Sequence, residues 1–409
     1  MGNNIPQGYK ATALGIIPQE WEVVRFGKVM KCFSGGTPKS SNPDFFGGKI
    51  PFIKSGEIHL STTEQNLSEE GLNQSAAKMV NKGDLLYALY GANSGDCAIS
   101  KIEGAINQAI LCIRTDAFDI PYLLAVLELN RPYYTDVYLQ GGQGNLSAEI
   151  VKSYMIAVPP LAEQRKIAEV LGVWDEAIEK QARLIEKLAL RKRGLMQRLL
   201  SAKLRLPGFS EKWEEVKLGD ICERVTRKNI EDNQNVMTIS AQRGFVAQTD
   251  FFNKSVASET LESYYLVFRD EFCYNKSYSN GYPMGAIKRL SEAEKAVVTS
   301  LYICFNVKPG TDANIDYLSY YFDNGGLNRG LTKIANEGGR AHGLLNVTPK
   351  DFFGLSFEIP SLKEQTAIAE VLTAADREIE LAKEKLERLR RQKRGLMQQL
   401  LTGKKRVKY

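Results

Sequence analysis

Histidine is almost absent from this chain of 409 residues, which has only His59 and His342. Imidazole is the commonest metal ligand and the usual acid–base group near neutral pH, so a His-rich metal centre and His-based catalysis are set aside. The six cysteines (Cys32, Cys97, Cys112, Cys222, Cys273, Cys304) are scattered, with no C-x-x-C pair, and read as reduced core residues. No stretch of eighteen or more apolar residues occurs, which excludes a membrane-spanning helix. The start, Met1-Gly2-Asn3-Asn4-Ile5-Pro6, lacks the basic stretch and apolar core of a secretory signal, so a cytoplasmic location is expected. A G-x-x-x-x-G-K-[ST] phosphate loop is also missing, and ATP hydrolysis is not supported. Asn42-Pro43-Asp44-Phe45 departs at its third position from the (N/D)-P-P-(Y/F) motif that holds a flipped adenine. The glycine clusters Gly141-Gly142-Gln143-Gly144 and Gly338-Gly339-Arg340 lack the strand-and-helix setting of a dinucleotide fingerprint and read as turns or as backbone able to approach a phosphate.

What is present is a repeat. Pro160–Ser201 and Ser361–Thr402 align without a gap at an offset of 201, and 21 of the 42 positions are identical, far above chance. Each copy opens on L-x-E-Q-x-x-I-A-E-V-L and closes on K-R-G-L-M-Q-x-L-L. Between them an apolar stripe advances by alternating steps of four and three: Ile167, Leu171, Trp174, Ile178, Gln181, Ile185, Leu188, Lys192, Leu195, Leu199. The second copy gives Ile368, Leu372, Ala375, Ile379, Ala382, Leu386, Leu389, Lys393, Leu396, Leu400. A period of about 3.5 residues held over about five heptads is the coiled-coil pattern. Prolines 159, 160 and 360 mark the helix starts, and Pro207-Gly208 follows the first copy. Periodicity leaves parallel and antiparallel packing open, while the symmetry of a duplicated unit favours antiparallel. Lys192 and Lys393 fall on the apolar seam, where they either fix register or snorkel to solvent; the second is the preferred expectation.

The stretches outside the helices correspond more faintly. Trp21–Gly27 matches Trp213–Gly219, Asn107–Ile113 resembles Thr299–Phe305, and Asn145-Leu146-Ser147 resembles Asn346-Val347-Thr348. Short β-branched and aromatic runs between Gly, Asn and Pro predict mixed α/β (α+β) domains, with short helices over Ile120–Leu129 and Ile315–Phe322. The expected division is 1–158 and 207–358 as globular domains, 159–206 as the first long helix, and 359–409 as the second with a basic tail. The net charge of +6, gathered at Arg191-Lys192-Arg193, Arg388 through Arg394 and Lys404–Lys408, suits an anionic partner or solvated helix faces.

With these motifs in this order, the chain resembles the specificity subunits of type I restriction-modification systems. Carrying the resemblance are Leu14-Gly15-Ile16-Ile17-Pro18-Gln19-Glu20-Trp21-Glu22-Val23, the two helix openings, the two helix endings, and the W-E-x-V restart at Trp213. The resemblance implies two target recognition domains, each reading one half of a bipartite DNA site. It further implies two long helices, packed as an intramolecular pseudo-twofold pair, that hold the domains apart. Partners implied are double-stranded DNA, two methyltransferase subunits and restriction subunits, with no membrane. The chain itself is expected to be non-catalytic and to bind no cofactor, with S-adenosylmethionine, ATP and Mg on the partner subunits. The alternative is a coiled-coil adaptor without base readout.

Base readout needs fixed donor and acceptor patterns: Arg or Lys suits guanine, Asn or Gln suits adenine. Polar, glycine-flanked loops at matching places are the candidates: Ser34–Ser41, Lys54–Glu57, Tyr90–Asp96 and Gly141–Asn145 in the first domain, and Arg224–Asn229, Ser240–Gly244, Asn275–Tyr282 and Gly338–Asn346 in the second. Lys54, Asn93, Gln242, Arg243, Lys276 and Asn280 are assigned to base edges. Lys39, Arg227, Lys228 and Arg340 are assigned to phosphates, which position without reading sequence. The helix pair (Ile167, Leu171, Trp174, Ile178, Ile185, Leu188, against Ile368, Leu372, Ile379, Leu386, Leu389) is expected to set the spacing. Half-sites on one DNA face lie roughly 34–36 Å apart. One helical turn inserted near Gln181 should then alter the preferred spacing.

Overall fold

The two repeated segments fold as helices of 39 residues each, Leu161–Leu199 and Leu362–Leu400, each about 58 Å long at 1.5 Å per residue. They begin where the prolines predict. The Pro160 carbonyl accepts from Glu163 N (2.9 Å) and Gln164 N (3.0 Å), and the Ser361 carbonyl from Gln365 N (2.9 Å). They end at equivalent left-handed residues, Ala202 (φ 56°) and Gly403 (φ 72°), which turn the chain back on the last carbonyls. The computed structural model describes residues 5–139, 145–248, 261–337 and 345–408.

The chain divides into two compact units, 1–182 with 384–409, and 183–383. Each unit contains half of each long helix, and in each the two halves run antiparallel. In the first, Ile167 and Leu171 share a core with Met397, Leu400 and Leu401. In the second, Met196, Leu199 and Leu200 share a core with Ile368 and Leu372, and Leu188 packs with Ile379 and Ala382. None of the ten seam positions in either helix is exposed. The globular cores close on both helices: Trp21, Phe26, Tyr122 and Ile156 join the first cluster, and Phe272, Phe305, Tyr317 and Phe352 the second.

Both units repeat the same sheet order. In the first, four antiparallel strands lie in the order Lys31–Ser34, Ile110–Arg114, Leu85–Ala88, Cys97–Ile99. The second has Cys222–Val225, Ile303–Val307, Phe272–Asn275, Ala286–Arg289. A two-stranded pair enters and leaves each domain, Glu22–Arg25 with Met155–Val158 and Glu214–Lys217 with Ser356–Ile359. The remaining strands differ. The first unit adds a second sheet built on Phe46–Ile53 and Gly104–Ile106, whereas the second adds the pairs Met237–Ser240 with Gly244–Ala247 and Tyr265–Phe268 with Lys295–Val298.

Two expectations need correction. The helix expected over Ile120–Leu129 runs from Ile120 to Leu139 through Pro132. Proline deletes only one helical hydrogen bond, and Tyr134 stacks on Tyr154 (centroids 3.6 Å apart, planes 6° apart), which anchors the turns beyond it. The seam lysines do not snorkel. Lys192 Nζ meets Asp376 at 2.5 Å and Lys393 Nζ meets Asp175 at 2.5 Å, each across the helix pair. The cysteines are free: Cys32 is half-buried and the other five are buried. Burial pushes the Cys112 and Cys222 thiols up to about 12, leaving them protonated and inert.

Candidate nucleic-acid interface

Identical residues of the repeat make identical bonds. The E-Q pair at each helix opening ties the helix to its domain. Gln164 accepts from Asp119 N (2.9 Å) and donates to the Ala117 and Pro159 carbonyls (3.1 and 2.9 Å). Gln365 does the same with Asn314 N (2.8 Å) and the Asp312 and Pro360 carbonyls (2.9 and 2.8 Å). The buried Glu163 carboxylate receives Arg406 as a two-point fork at 2.5 and 2.9 Å, and Glu364 receives Arg205 at 2.6 and 2.8 Å. Trp21 Nε1 adds a third bond to Glu163 at 2.9 Å. The equivalent Trp213 Nε1 is buried without a partner among the described residues. These contacts give each domain a fixed seat on the helices.

On that frame the first domain gathers three of its predicted loops. Gly35 is required where Ser34–Ser41 passes the sheet, because a Cβ there would lie 1.7 Å from the Ile106 carbonyl oxygen. Thr37 Oγ1 donates to Gln108 Oε1 (2.6 Å), and the Tyr90 hydroxyl donates to the Gln108 carbonyl (2.6 Å). Lys54 and Ser40 share a cleft of about 420 Å³ with Thr37, Gln65 and Asn107. Lys39 is exposed next to Ser40. The turn at Lys54 is held by Glu57, which accepts from Lys54 N (3.0 Å) and Glu64 N (2.8 Å). Asn93 lies beside it: a Cβ on Gly56 would sit 3.5 Å from Asn93 Nδ2. Asn107 and Gln108, at the centre of this face, were read from sequence only as framework. Their signal was an Asn-Gln pair directly preceding a buried strand.

In the second domain the Ser240–Gly244 and Asn275–Tyr282 loops meet. Gln242 Nε2 donates to the Asn280 carbonyl (3.0 Å), and Asn275 Nδ2 to the Ile239 carbonyl (3.3 Å). Arg243 and Asn280 are exposed, and Lys276 is half-buried with its carbonyl accepting from Leu345 N (3.1 Å). Gly285 (φ 73°) turns the chain where a Cβ would strike the Asn275 carbonyl at 2.3 Å. Tyr278, 63% exposed, projects an aromatic ring from the same loop and was not singled out by sequence.

Arg227 and Lys228 are placed elsewhere. Arg227 pairs with Glu271 (3.1 and 3.2 Å), donates to the Leu266 carbonyl (3.1 Å), and lies over the Phe268 ring at 3.8 Å. Lys228 donates to the Ser263 carbonyl (2.7 Å) and covers the Tyr265 ring at 4.5 Å. Both hold the segment entering strand Phe272–Asn275 at its start, whereas Lys276 and Asn280 follow its end. Arg340 lies outside the described residues, as do 141–144 and most of the 338–346 loop.

No described helix is long and apolar enough to cross a membrane. The family described as "Type I restriction modification DNA specificity domain" matches this chain twice, over residues 18–189 and 210–391. The chain is similar to the type I restriction enzyme MjaVIII specificity subunit of Methanocaldococcus jannaschii, 24% identical over 96% of this chain and 94% of that protein. It is equally similar to the putative MjaX specificity subunit of the same organism, 24% identical over 98% of this chain and 97% of the relative. Its fold is that of the type I restriction-modification S subunit from M. genitalium, with a TM-score of 0.53 at 14% identity over 98% and 97% of the two chains. A chain solved in work on complex assembly and conformational transition of the type I R-M system superimposes with a TM-score of 0.57 at 17% identity, covering 95% of this chain and 99% of that one. Two family domains fill most of the sequence, and the chain therefore belongs to the type I restriction-modification DNA specificity family, as the non-catalytic subunit that recognises the DNA target.

Proposed function

We propose that this subunit reads a bipartite duplex site, one half-site by each of the domains 1–158 and 207–358, with the spacer set by the paired helices of 159–206 and 359–409. One observation carries the reading: the same four-stranded sheet, seated on the helices by the same E-Q and Arg–Glu bonds, bears different polar loops in the two units. A common frame with divergent loops is what two independent readers of different half-sites require. In the second domain Arg243 would take guanine, and the linked Gln242 and Asn280 would take adenine edges, with Lys276 alongside. In the first, Lys54 and Asn93 would face bases together with Asn107 and Gln108. Lys39 and Arg340 would hold phosphates, while Arg227 and Lys228 would support the loops from behind.

The partners in this reading are two methyltransferase subunits and restriction subunits, which would carry S-adenosylmethionine, ATP and Mg, in the cytoplasm. Methylome sequencing of cells carrying the chain and its methyltransferase partner tests it. The expected result is a methylated motif of two short segments separated by an unspecified spacer. A single contiguous motif would contradict it. The purified chain, given DNA and all three cofactors, should neither cut nor methylate.

A further inference from the structure

Each of the two seam lysines meets two other elements. In unit 183–383, Lys192 Nζ lies 2.5 Å from Asp376 Oδ1 and 5.1 Å from the centre of the Tyr320 ring, while the Tyr320 hydroxyl donates to Asp376 Oδ2 at 2.8 Å. In unit 1–182 with 384–409, Lys393 Nζ lies 2.5 Å from Asp175 Oδ1 and 3.7 Å from Glu128 Oε2. Tyr320 and Glu128 belong to the corresponding domain helices, Ile315–Asp323 and Ile120–Leu139. Both lysines are largely covered, 19% and 14% exposed. Each node therefore joins the end of one long helix, the beginning of the other and the helix of a recognition domain. Lysine and aspartate are identical in the two copies, whereas the domain partner is not.

A charge on an apolar seam costs stability but is selective, because any other register leaves it unpaired. A slip of one heptad would put Ala369 or Lys383 where Asp376 stands, and Ala168 or Ala182 where Asp175 stands. Leucine at both positions would tolerate such slips. We infer that Lys192–Asp376–Tyr320 and Lys393–Asp175–Glu128 are positioning nodes that lock helix register and the seat of each domain, and so restrict the complex to one spacer length. This rests on the bipartite reading above.

The test uses the chain in complex with its methyltransferase partner and reads spacer length by methylome sequencing, a quantity that mere loss of fold does not redistribute. Lys192→Met and Lys393→Met should keep both half-sites and raise methylation at sites about three base pairs off the preferred spacer, the length of a one-heptad slip, by roughly tenfold. The exchange Lys192→Asp with Asp376→Lys should return the distribution toward a single spacer. Unchanged spacer selectivity in the single variants overturns the inference. So does loss of methylation in the exchange and the single variants alike, because the node would then be only a fold contact. A wild-type motif that is not bipartite sinks the underlying reading itself, and this inference with it.

Discussion

Gln164 and Gln365 show how much a single side chain can be asked to hold. Each amide is buried and satisfies one backbone N–H and two carbonyls. Replacing Gln164 by alanine takes the partner from those three groups, of which the bond to the Pro159 carbonyl is buried and the other two part-buried. Unsatisfied buried backbone groups are costly, and the expected loss is about 3 kcal/mol in urea unfolding of the unit that contains it. A loss within experimental noise would contradict the assignment. The identity of the residue was legible in the repeat, but its bonds were not. Its partners at Ala117 and Asp119 stand 47 and 45 residues away, in a loop whose sequence differs from the Asp312–Asn314 loop of the other unit. The partner of Arg227 was hidden for the same reason. A basic run reads locally as a phosphate ligand, yet Glu271, 44 residues on, takes the guanidinium. The pairing of Gln242 with the Asn280 loop likewise spans 38 residues, so polar loops could be nominated by composition while their meeting needed the sheet.

The long helices were legible because a heptad stripe bounded by prolines is a local signal, although the first ends at Leu199, before the expected 206. Direction came from the symmetry of the duplication and not from the stripe, since a parallel pair carries the same stripe. The reciprocal forks, Arg406 on Glu163 and Arg205 on Glu364, show why the copies cross: each helix ending supplies the arginine that neutralises the other helix's buried opening carboxylate. Arg406→Ala leaves Glu163, with no exposed side-chain surface, without its counter-charge, and should cost about 3 kcal/mol. Arg406→Lys should recover only part of it, because an ammonium cannot fork. Differential scanning calorimetry of the two variants checks this, and equal stability of the three proteins would contradict it. Crossing also refines the spacing expectation, since an insertion in one helix alone would misalign its partner. Seven residues inserted after both Gln181 and Ala382 preserve every seam pairing and lengthen each helix by about 10 Å. The methylated motif should then gain about three base pairs of spacer, at 3.4 Å each, with both half-sites unchanged.

At the scale of the whole molecule, duplication is the governing fact. It sets two domains on one frame, makes the seam self-complementary, and leaves the candidate reading loops free to diverge, because the E-Q, Arg–Glu and Lys–Asp bonds are made outside Ser34–Ser41, Lys54–Glu57, Tyr90–Asp96, Ser240–Gly244 and Asn275–Tyr282. The sheet order was hidden in the sequence because its central strands, Ile110–Arg114 and Ile303–Val307, sit between strands that precede them by dozens of residues. The central claim is that the two domains read independently. The most direct measurement compares methylomes of cells expressing the wild-type chain, a Gln242→Ala/Arg243→Ala variant and a Lys54→Ala/Asn93→Ala variant, each with the same methyltransferase partner. The first variant should relax bases in one half-site and the second should relax bases in the other, with spacer length constant in both. Relaxation of the same half-site by both variants, or of both half-sites by either, would contradict it.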